Sequence, residues 1–365
     1  MSSAAATEPG AAEPEPSGPG ALFLREIREQ PDALERLLAE EDRYAAVAGS
    51  MRARGLTTVR MVGHGSSDNA ASYGVYAFGL LPGWTALRDS ISLSVYYGAE
   101  IDLAGSCVLA LSQSGRTPDV LAYVERARSR GALTVALTND PGSALASAAE
   151  AALPLAAGDE LAVAATKTYT TQIAALALLA GHAAGRGAEV AAGIRTTAAQ
   201  LRELLPVLES RLSELAVALA FVGRMFVVGR GPDFATAREI SLKLLETCRV
   251  AAEPLTATDL AHGPIAALDG LFPVWVIASH DASLPAVQEA AERARAAGAT
   301  LLASGSAAAA IAGADYAIPV PAPPLPVLAP LLSVVPGQLL AWALAKAKGL
   351  DPDRPTGLSK VTLAL

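Results

Sequence analysis

Residues 107–139 read "CVLALSQSGRTPDVLAYVERARSRGALTVALTN". An apolar run of strand length ends in a polar tip, a proline then opens a helical pattern, and a second apolar run follows. Apolar runs of this length that alternate with helical patterns are typical of parallel βαβ units. The stretch therefore predicts an α/β fold built on a parallel sheet.

The same pattern occurs twice in the chain. Residues 274–306, "VWVIASHDASLPAVQEAAERARAAGATLLASGS", mirror residues 107–139, and "RMFVVGRGPDFATAREI" (224–240) mirrors "TVRMVGHGSSDNAASYG" (58–74). Gly63 precedes Ser112 by 49 positions, and Gly229 precedes Ser279 by 50. Matching order and spacing over this distance indicate an internal repeat. We expect two similar α/β sandwiches joined by helices near residues 186–215.

Composition excludes several classes of function. The 365 residues are 52% hydrophobic and 18% charged, with a net charge of −8, which argues against nucleic acid or an anionic membrane as partner. Cys107 and Cys248 are far apart and form no CxxC motif, so a reducing cytoplasm is the simplest compartment. The four histidines are too dispersed for a local metal motif. We expect a cytoplasmic protein without a metal or other cofactor.

One uncharged segment, residues 316–345, is long enough to raise the question of a membrane span. Seven prolines interrupt it, and they would break a spanning helix repeatedly. The segment instead predicts a buried loop followed by a buried helix.

Two polar tips follow predicted strands in the first half. Ser112, Gln113, Ser114 and Thr117 form one, and "GHGSSDN" (63–69) with Gly65, Ser66 and Ser67 forms the other. Ligands of parallel sheets bind at the carboxyl ends of strands, where helix N-termini and hydroxyls favour anions. These serines, and Thr117 before Pro118, could equally be helix caps. No Walker lysine or GxGxxG pattern is present, and the second-half tip "SHDAS" (279–283) is degenerate, so we expect one phosphate site per chain.

Three further segments carry candidate acid–base groups. In "TAREISLKLLETCRV" (236–250), Glu239, Lys243 and Glu246 share one helical face, which on pattern alone predicts a solvated stripe with an ion pair. His262, in a loop before Gly-Pro, is either a structural or an acid–base residue. Lys360, in the otherwise uncharged "GLSKVTLAL" (357–365), is either a reactive amine or a solubilising end.

Together these motifs resemble the SIS (sugar isomerase) family. "GHGSSDNAASYG", "LALSQSGRTPD", "VAATKTYTTQ" (163–172), "LKLLETC", "AHGP" and "LSKVT" are similar to the isomerase half of glucosamine-6-phosphate synthase and to stand-alone glucosamine-6-phosphate deaminases. The resemblance covers roughly residues 22–365. It implies two tandem SIS-type, flavodoxin-like three-layer sandwiches with parallel sheets. The expected segments are a disordered tail (1–20), an N-terminal helical segment (21–55), SIS domain 1 (56–200), SIS domain 2 (201–350) and a C-terminal active-site tail (351–365).

The resemblance also implies roles for individual residues. Glu246 corresponds to the base that moves a proton between C1 and C2, with Lys243 near it. His262 corresponds to a ring-opening histidine that a partner subunit contributes, which implies a homodimer, and Lys360 corresponds to the lysine that meets the open-chain carbonyl. The remaining residues would bind the sugar and its phosphate: Gly65, Ser66, Ser67, Ser112, Gln113, Ser114, Thr117, Val163 and Ala165.

Departures from the synthase pattern direct the functional prediction. The chain offers no glutaminase cysteine, Leu245 replaces a lysine, Ala165 a serine and His64 a cysteine. We expect an isomerase/deaminase that converts glucosamine 6-phosphate to fructose 6-phosphate and ammonia. Two alternatives stay open: a dehydratase that uses the same base on N-acetylglucosamine 6-phosphate, and a sugar-phosphate sensor without catalysis.

Overall fold

The computed structural model describes residues 18–360. The described part begins with three helices, and the first sheet with its helices follows. These elements are α1 (Ala21–Arg28), α2 (Gln30–Leu38), α3 (Glu41–Ala53), β1 (Thr58–Val62), α4 (Ser66–Leu80), β2 (Thr85–Arg88), α5 (Ile91–Val95), β3 (Ser106–Ser112), α6 (Pro118–Ser129), β4 (Leu133–Thr138), α7 (Ala144–Ala148), β5 (Ala151–Pro154) and α8 (Lys167–Ala183).

A single long helix, α9 (Gly187–Ala218), leads to the second sheet. It takes the place of the several linking helices expected near 186–215, and it runs through the domain boundary expected at residue 200, which stays a prediction. The second half comprises β6 (Arg224–Gly229), α10 (Asp233–Cys248), β7 (Ala251–Thr256), β8 (Pro273–Ile277), α11 (Leu284–Ala296), β9 (Thr300–Gly305), β10 (Tyr316–Pro319), α12 (Ala329–Ser333) and α13 (Val335–Ala347).

Both sheets have five strands, all parallel, in the same topology. The first has the order β2-β1-β3-β4-β5 and the second β7-β6-β8-β9-β10, which is one order repeated. Strands β3, β4 and β8 are buried along their whole length, as expected where helices cover both faces of a sheet. The predicted pair of flavodoxin-like sandwiches is therefore confirmed.

The largest hydrophobic core lies between the two sheets and joins them. It takes residues from both halves, including the apolar stripe Ile240, Leu244 and Cys248 of α10. Gly337 of α13 lets the two helices approach, since a Cβ at that position would lie 2.2 Å from Cγ1 of Ile240. Helix α10 also packs against α4 of the other half. Residues at this junction therefore come from both sandwiches.

The end of the described chain is tied to its beginning. The Asp353 carboxylate accepts hydrogen bonds from the backbone N–H groups of Leu22 (3.2 Å) and Phe23 (2.7 Å) at the start of α1. The backbone N–H of Val163 donates to the Asp353 carbonyl (3.0 Å). These bonds hold the segment that carries Lys360 against the first sandwich.

Two sequence predictions concern the chain's ends and its apolar segment. Most of the expected disordered tail, residues 1–17, and residues 361–365 lie outside the described residues. Residues 326–347 form a helical stretch long and apolar enough to cross a membrane, but the apolar window is wholly buried inside the protein. The predicted buried helix is confirmed by α13, but residues 316–326 form strand β10 and a partly exposed loop, so the prediction of a buried loop is wrong.

Candidate active site

A cavity of about 500 Å³ opens at the carboxyl ends of β1 and β3, next to α10. It brings together twelve of the thirteen residues expected at the site. These are Gly65, Ser66, Ser67, Ser112, Gln113, Ser114, Thr117, Val163, Ala165, Lys243, Glu246 and Lys360. His262, exposed after β7, does not line this cavity. A site built from one chain alone therefore lacks His262.

The loop after β3 folds around Ser112. The Ser112 hydroxyl accepts a hydrogen bond from the Gly115 backbone N–H (3.1 Å) and lies 3.3 Å from the Thr117 hydroxyl. Thr117 occupies the N-cap position of α6 but makes no capping hydrogen bond. Its side chain is turned to Ser112 instead, so the capping interpretation of this hydroxyl is wrong. Gly115 has a φ of 62°, a left-handed conformation that glycine adopts without strain.

Ser66 and Ser67, in the loop after β1, differ in the hydrogen bonds that they can still make with a ligand. Ser67 Oγ accepts from Gln172 Nε2 at 2.9 Å, so its own proton remains available to a ligand. Ser66 Oγ donates to Glu239 Oε1 (2.9 Å) and accepts from Lys243 Nζ (3.2 Å). A hydroxyl has one proton, so Ser66 can only accept from a bound sugar. Among these two, Ser67 is the better phosphate ligand.

The charged face of α10 is buried, contrary to the solvated stripe that its pattern predicts. Glu239 and Lys243 have side-chain exposures of 0% and 1%, and Glu246 22%. Lys243 Nζ lies 3.4 Å from Glu239 Oε1 and 2.6 Å from Glu246 Oε2. Asn69 of α4 donates to Glu239 Oε2 at 2.8 Å. The prediction fails because α4 of the other sandwich covers this face.

The carboxylates of Glu239 and Glu246 keep the buried Lys243 ammonium charged. Burial by itself lowers the pKa of Lys243, but Glu239 and Glu246 outweigh it, and the pKa rises above its ordinary value. Burial raises the pKa of Glu239, and Lys243 and the Asn69 hydrogen bond offset part of that rise. Glu246 is thus the carboxylate of this cluster that faces the cavity, with a fixed cation beside it.

Lys360, another residue of the cavity lining, is paired with a carboxylate that sequence reasoning missed. Its Nζ donates to Glu160 Oε2 (2.7 Å) and to the Ala162 carbonyl (2.7 Å). Burial raises the pKa of Glu160, but Lys360 and hydrogen bonds from Thr168 and Thr166 outweigh burial, so the pKa lies below its usual range. Lys360 is therefore not a solvated end of the chain.

Glu26 is a second residue that the sequence did not reveal. Its buried carboxylate, on α1, accepts hydrogen bonds from the backbone N–H groups of Leu161 and Ala162, just before cavity residue Val163. Burial, with Glu160 nearby, raises the pKa of Glu26 to about 7. No local spacing relates residue 26 to residue 161, so no motif search would find this contact.

The corresponding place in the second sandwich is filled by the protein itself. Asp233 lies four positions after Gly229, as Ser67 lies four after Gly63. Its buried carboxylate accepts hydrogen bonds from Ser279 (2.5 Å), the counterpart of Ser112, and from Ser333 (2.5 Å). The Asp233 carboxyl group thus occupies the donors that a phosphate would need, which supports a single site per chain.

Comparison with known proteins agrees with the fold and the motifs. The profile of the SIS domain matches residues 57–181 and 218–347. The glutamine–fructose-6-phosphate aminotransferases (isomerizing) of Symbiobacterium thermophilum and Gloeobacter violaceus are 36% and 34% identical over 97% and 93% of this chain. The aligned part spans only 60% and 58% of those relatives.

Solved structures show the same likeness. A candidate phosphosugar isomerase from Silicibacter pomeroyi DSS-3 has 34% identity and a TM-score of 0.78, covering 91% of this chain and 99% of that one. The C-terminal domain of an aminotransferase from Francisella tularensis, glucosamine-fructose-6-phosphate aminotransferase, shares the fold with a TM-score of 0.84 at 24% identity, covering 92% of this chain and 98% of that one. On the profile match and these relatives, the chain belongs to the SIS domain family and is related to phosphosugar isomerases.

Proposed function

We propose that the chain is an amino-sugar 6-phosphate isomerase/deaminase that converts glucosamine 6-phosphate and water to fructose 6-phosphate and ammonia. One observation carries the proposal. The Glu246 carboxylate and the hydroxyl-rich loops at Ser67 and Ser112–Thr117 line the same cavity of about 500 Å³. A hexose phosphate held by its phosphate at these loops would present its other end to the α10 wall.

The phosphate supplies binding energy that positions the reacting carbons. Hydroxyls of Ser67, Ser112, Ser114 and Thr117, with the Gln113 amide, are suited to a phosphate. Fixing a remote group in this way converts binding energy into orientation of the reacting centre. Glu246 and Lys243 lie on α10, which lines the same cavity, and the proposal places C1 and C2 of the sugar beside Glu246.

Glu246 and Lys360, which line the cavity, would carry out the proton transfer. Once the ring is open, Glu246 takes the C2 proton while Lys360 donates a hydrogen bond to the C1 carbonyl oxygen. Return of that proton to C1, with transfer of one amine proton to the C1 oxygen, gives the 2-imino ketose. Water then adds at C2 and ammonia leaves. Positioned acid–base catalysis of this kind contributes about 10²–10⁴-fold.

His262, the residue expected to open the ring, does not line the cavity of the single chain. We infer that His262 of a second subunit fills this role in a cytoplasmic homodimer. Mixing Glu246→Gln chains with His262→Ala chains tests the inference, because only a site built from two chains regains activity in the mixture. Activity that stays at the level of the separate variants would exclude a shared site.

A product assay tests the proposed reaction. The protein is incubated with glucosamine 6-phosphate, and ammonia and fructose 6-phosphate are measured in equal amounts if the proposal holds. Glu246→Gln is expected to lower kcat by about 10²–10⁴-fold while retaining affinity for the substrate. Glu253→Gln, on exposed β7, is the matched control and keeps full activity. Binding without turnover by the wild type would instead favour a sensor.

A dehydratase is the second candidate, and one observation favours it. A cavity of about 540 Å³ adjoins the first, shares Glu246 and Leu358 with it, and is lined by Leu245. This space would hold an acyl group on the sugar nitrogen. Glu246 would then remove the C2 proton, and the 3-hydroxyl would leave as water. Incubation with N-acetylglucosamine 6-phosphate would give an unsaturated, ultraviolet-absorbing product and no ammonia.

A further inference from the structure

The cavity contains a histidine–aspartate pair that the proposed mechanism does not use. His64 Nε2 lies 2.8 Å from Asp119 Oδ2, and both residues line the cavity beside the phosphate loops. The Asp119 side chain is 7% exposed and that of His64 56%. Asp119 is in the first turn of α6, directly after Thr117 and Pro118. The pair therefore joins the two loops, one from each strand end.

The charges around the cavity leave a phosphate short of positive charge. Among residues 18–360 no arginine lines this cavity, and the ammonium groups of its two lysines lie against carboxylates, Lys243 against Glu239 and Glu246 and Lys360 against Glu160, whereas His64 bonds its carboxylate through one ring nitrogen and keeps the other. Its acidic and basic residues besides His64 are Asp119, Glu160, Lys243, Glu246 and Lys360. With a neutral imidazole these sum to a negative charge, on a chain whose net charge is already −8.

The bond to Asp119 determines what His64 can offer a ligand. A carboxylate only accepts hydrogen bonds, so Nε2 carries a proton in either charge state of the ring. The other nitrogen, Nδ1, makes no hydrogen bond with described residues, and His64 lines the cavity, so Nδ1 is the ring nitrogen left for a ligand. Neutral, it is an acceptor that a phosphate dianion cannot satisfy. Protonated, it becomes a charged donor.

From this geometry we propose that His64, oriented by Asp119, is the cationic phosphate ligand of the site, binding the substrate's phosphate through a protonated Nδ1. This deepens the proposed function, on which it rests, by naming the group that recognises the phosphate charge. The hydroxyls of Ser112 and Thr117 would orient the phosphate through hydrogen bonds, and His64 would provide the positive charge. A charge-assisted hydrogen bond contributes about 1.5–3 kcal/mol, or about 10–100-fold in affinity.

His64→Gln tests the proposal, since glutamine can keep the bond to Asp119 while it removes the charge and Nδ1. The KM for glucosamine 6-phosphate should rise about 10–100-fold, with kcat changed less than about threefold. His64→Ala should raise KM by at least as much, and circular dichroism checks that both fold. A KM within twofold of the wild type in both variants would overturn the proposal.

Direct binding separates this proposal from the proposed function. Isothermal titration calorimetry with inorganic phosphate, glucosamine 6-phosphate and glucosamine does not require turnover. We expect His64→Gln to weaken the two phosphorylated probes and leave glucosamine unchanged. An equal loss for all three probes would refute a phosphate contact, even if the wild type is an active deaminase. A selective loss would support the contact even if no turnover is found.

Discussion

Glu26 offers a sharp test of how the N-terminal helices support the site. Its buried carboxylate holds the backbone N–H groups of Leu161 and Ala162, and the Ala162 carbonyl in turn accepts from Lys360. One carboxylate oxygen, Oε2, has no hydrogen-bond partner. An ionised carboxylate in this position is therefore only half satisfied. Glu26→Gln keeps an acceptor for the two N–H groups and removes the charge.

The size of the effect follows from the pKa of Glu26, which burial and Glu160 raise from 4.5 to about 7. A carboxyl with a raised pKa in the folded state holds its proton better there than in the unfolded chain. The folded state therefore loses stability as pH rises from 4.5 through 7. At about 1.4 kcal/mol per pKa unit, the loss is about 3.4 kcal/mol when complete, and roughly 2.5 kcal/mol of it falls between pH 5 and pH 9.

Urea unfolding at about pH 5 and pH 9 measures this directly. The free energy of unfolding of Glu26→Gln, relative to the wild type, should increase by about 2.5 kcal/mol between the two pH values. Glu203→Gln, on the exposed face of α9, is the control and should show no such increase. An increase below about 0.5 kcal/mol for Glu26→Gln would refute the reasoning, since the carboxyl would then titrate alike in the folded and unfolded chain.

Three further substitutions test the cavity walls. Gly115→Ala forces a side chain onto a φ of 62° and places Cβ 2.1 Å from Ser143 Oγ, so unfolding assays should show a loss of about 1–3 kcal/mol and steady-state kinetics a higher KM. Lys360→Met leaves the buried Glu160 carboxylate unpaired and should cost about 3–5 kcal/mol in urea unfolding. Because the pKa of Glu160 is lowered on folding, that cost should be present above pH 4.5 and fade as pH falls further. Ser112→Ala should raise KM about tenfold with kcat nearly unchanged, and an unchanged KM would remove Ser112 from the phosphate loop.

Much of the fold was predictable because it depends on local patterns. Apolar runs such as 107–112 and 133–138 alternate with helical periodicity, and the same order recurs after residue 224. Strand ends at Ser112 and Gly229 follow from where those runs stop. Parallel topology then brings the polar tips at Ser67 and Ser112 to one edge, since β1 and β3 are adjacent and parallel.

The environment of the charged residues was decided only by the tertiary structure. Helical spacing shows that Glu239, Lys243 and Glu246 share a face, but it carries no information on whether that face meets water or another helix. Here α4 of the other sandwich covers it. The contacts of Glu26 with Leu161 and of His64 with Asp119 join residues 135 and 55 positions apart. Side-chain pairing over such distances depends on how the two sandwiches and the N-terminal helices pack, because only packing removes these groups from water and determines which partners they find.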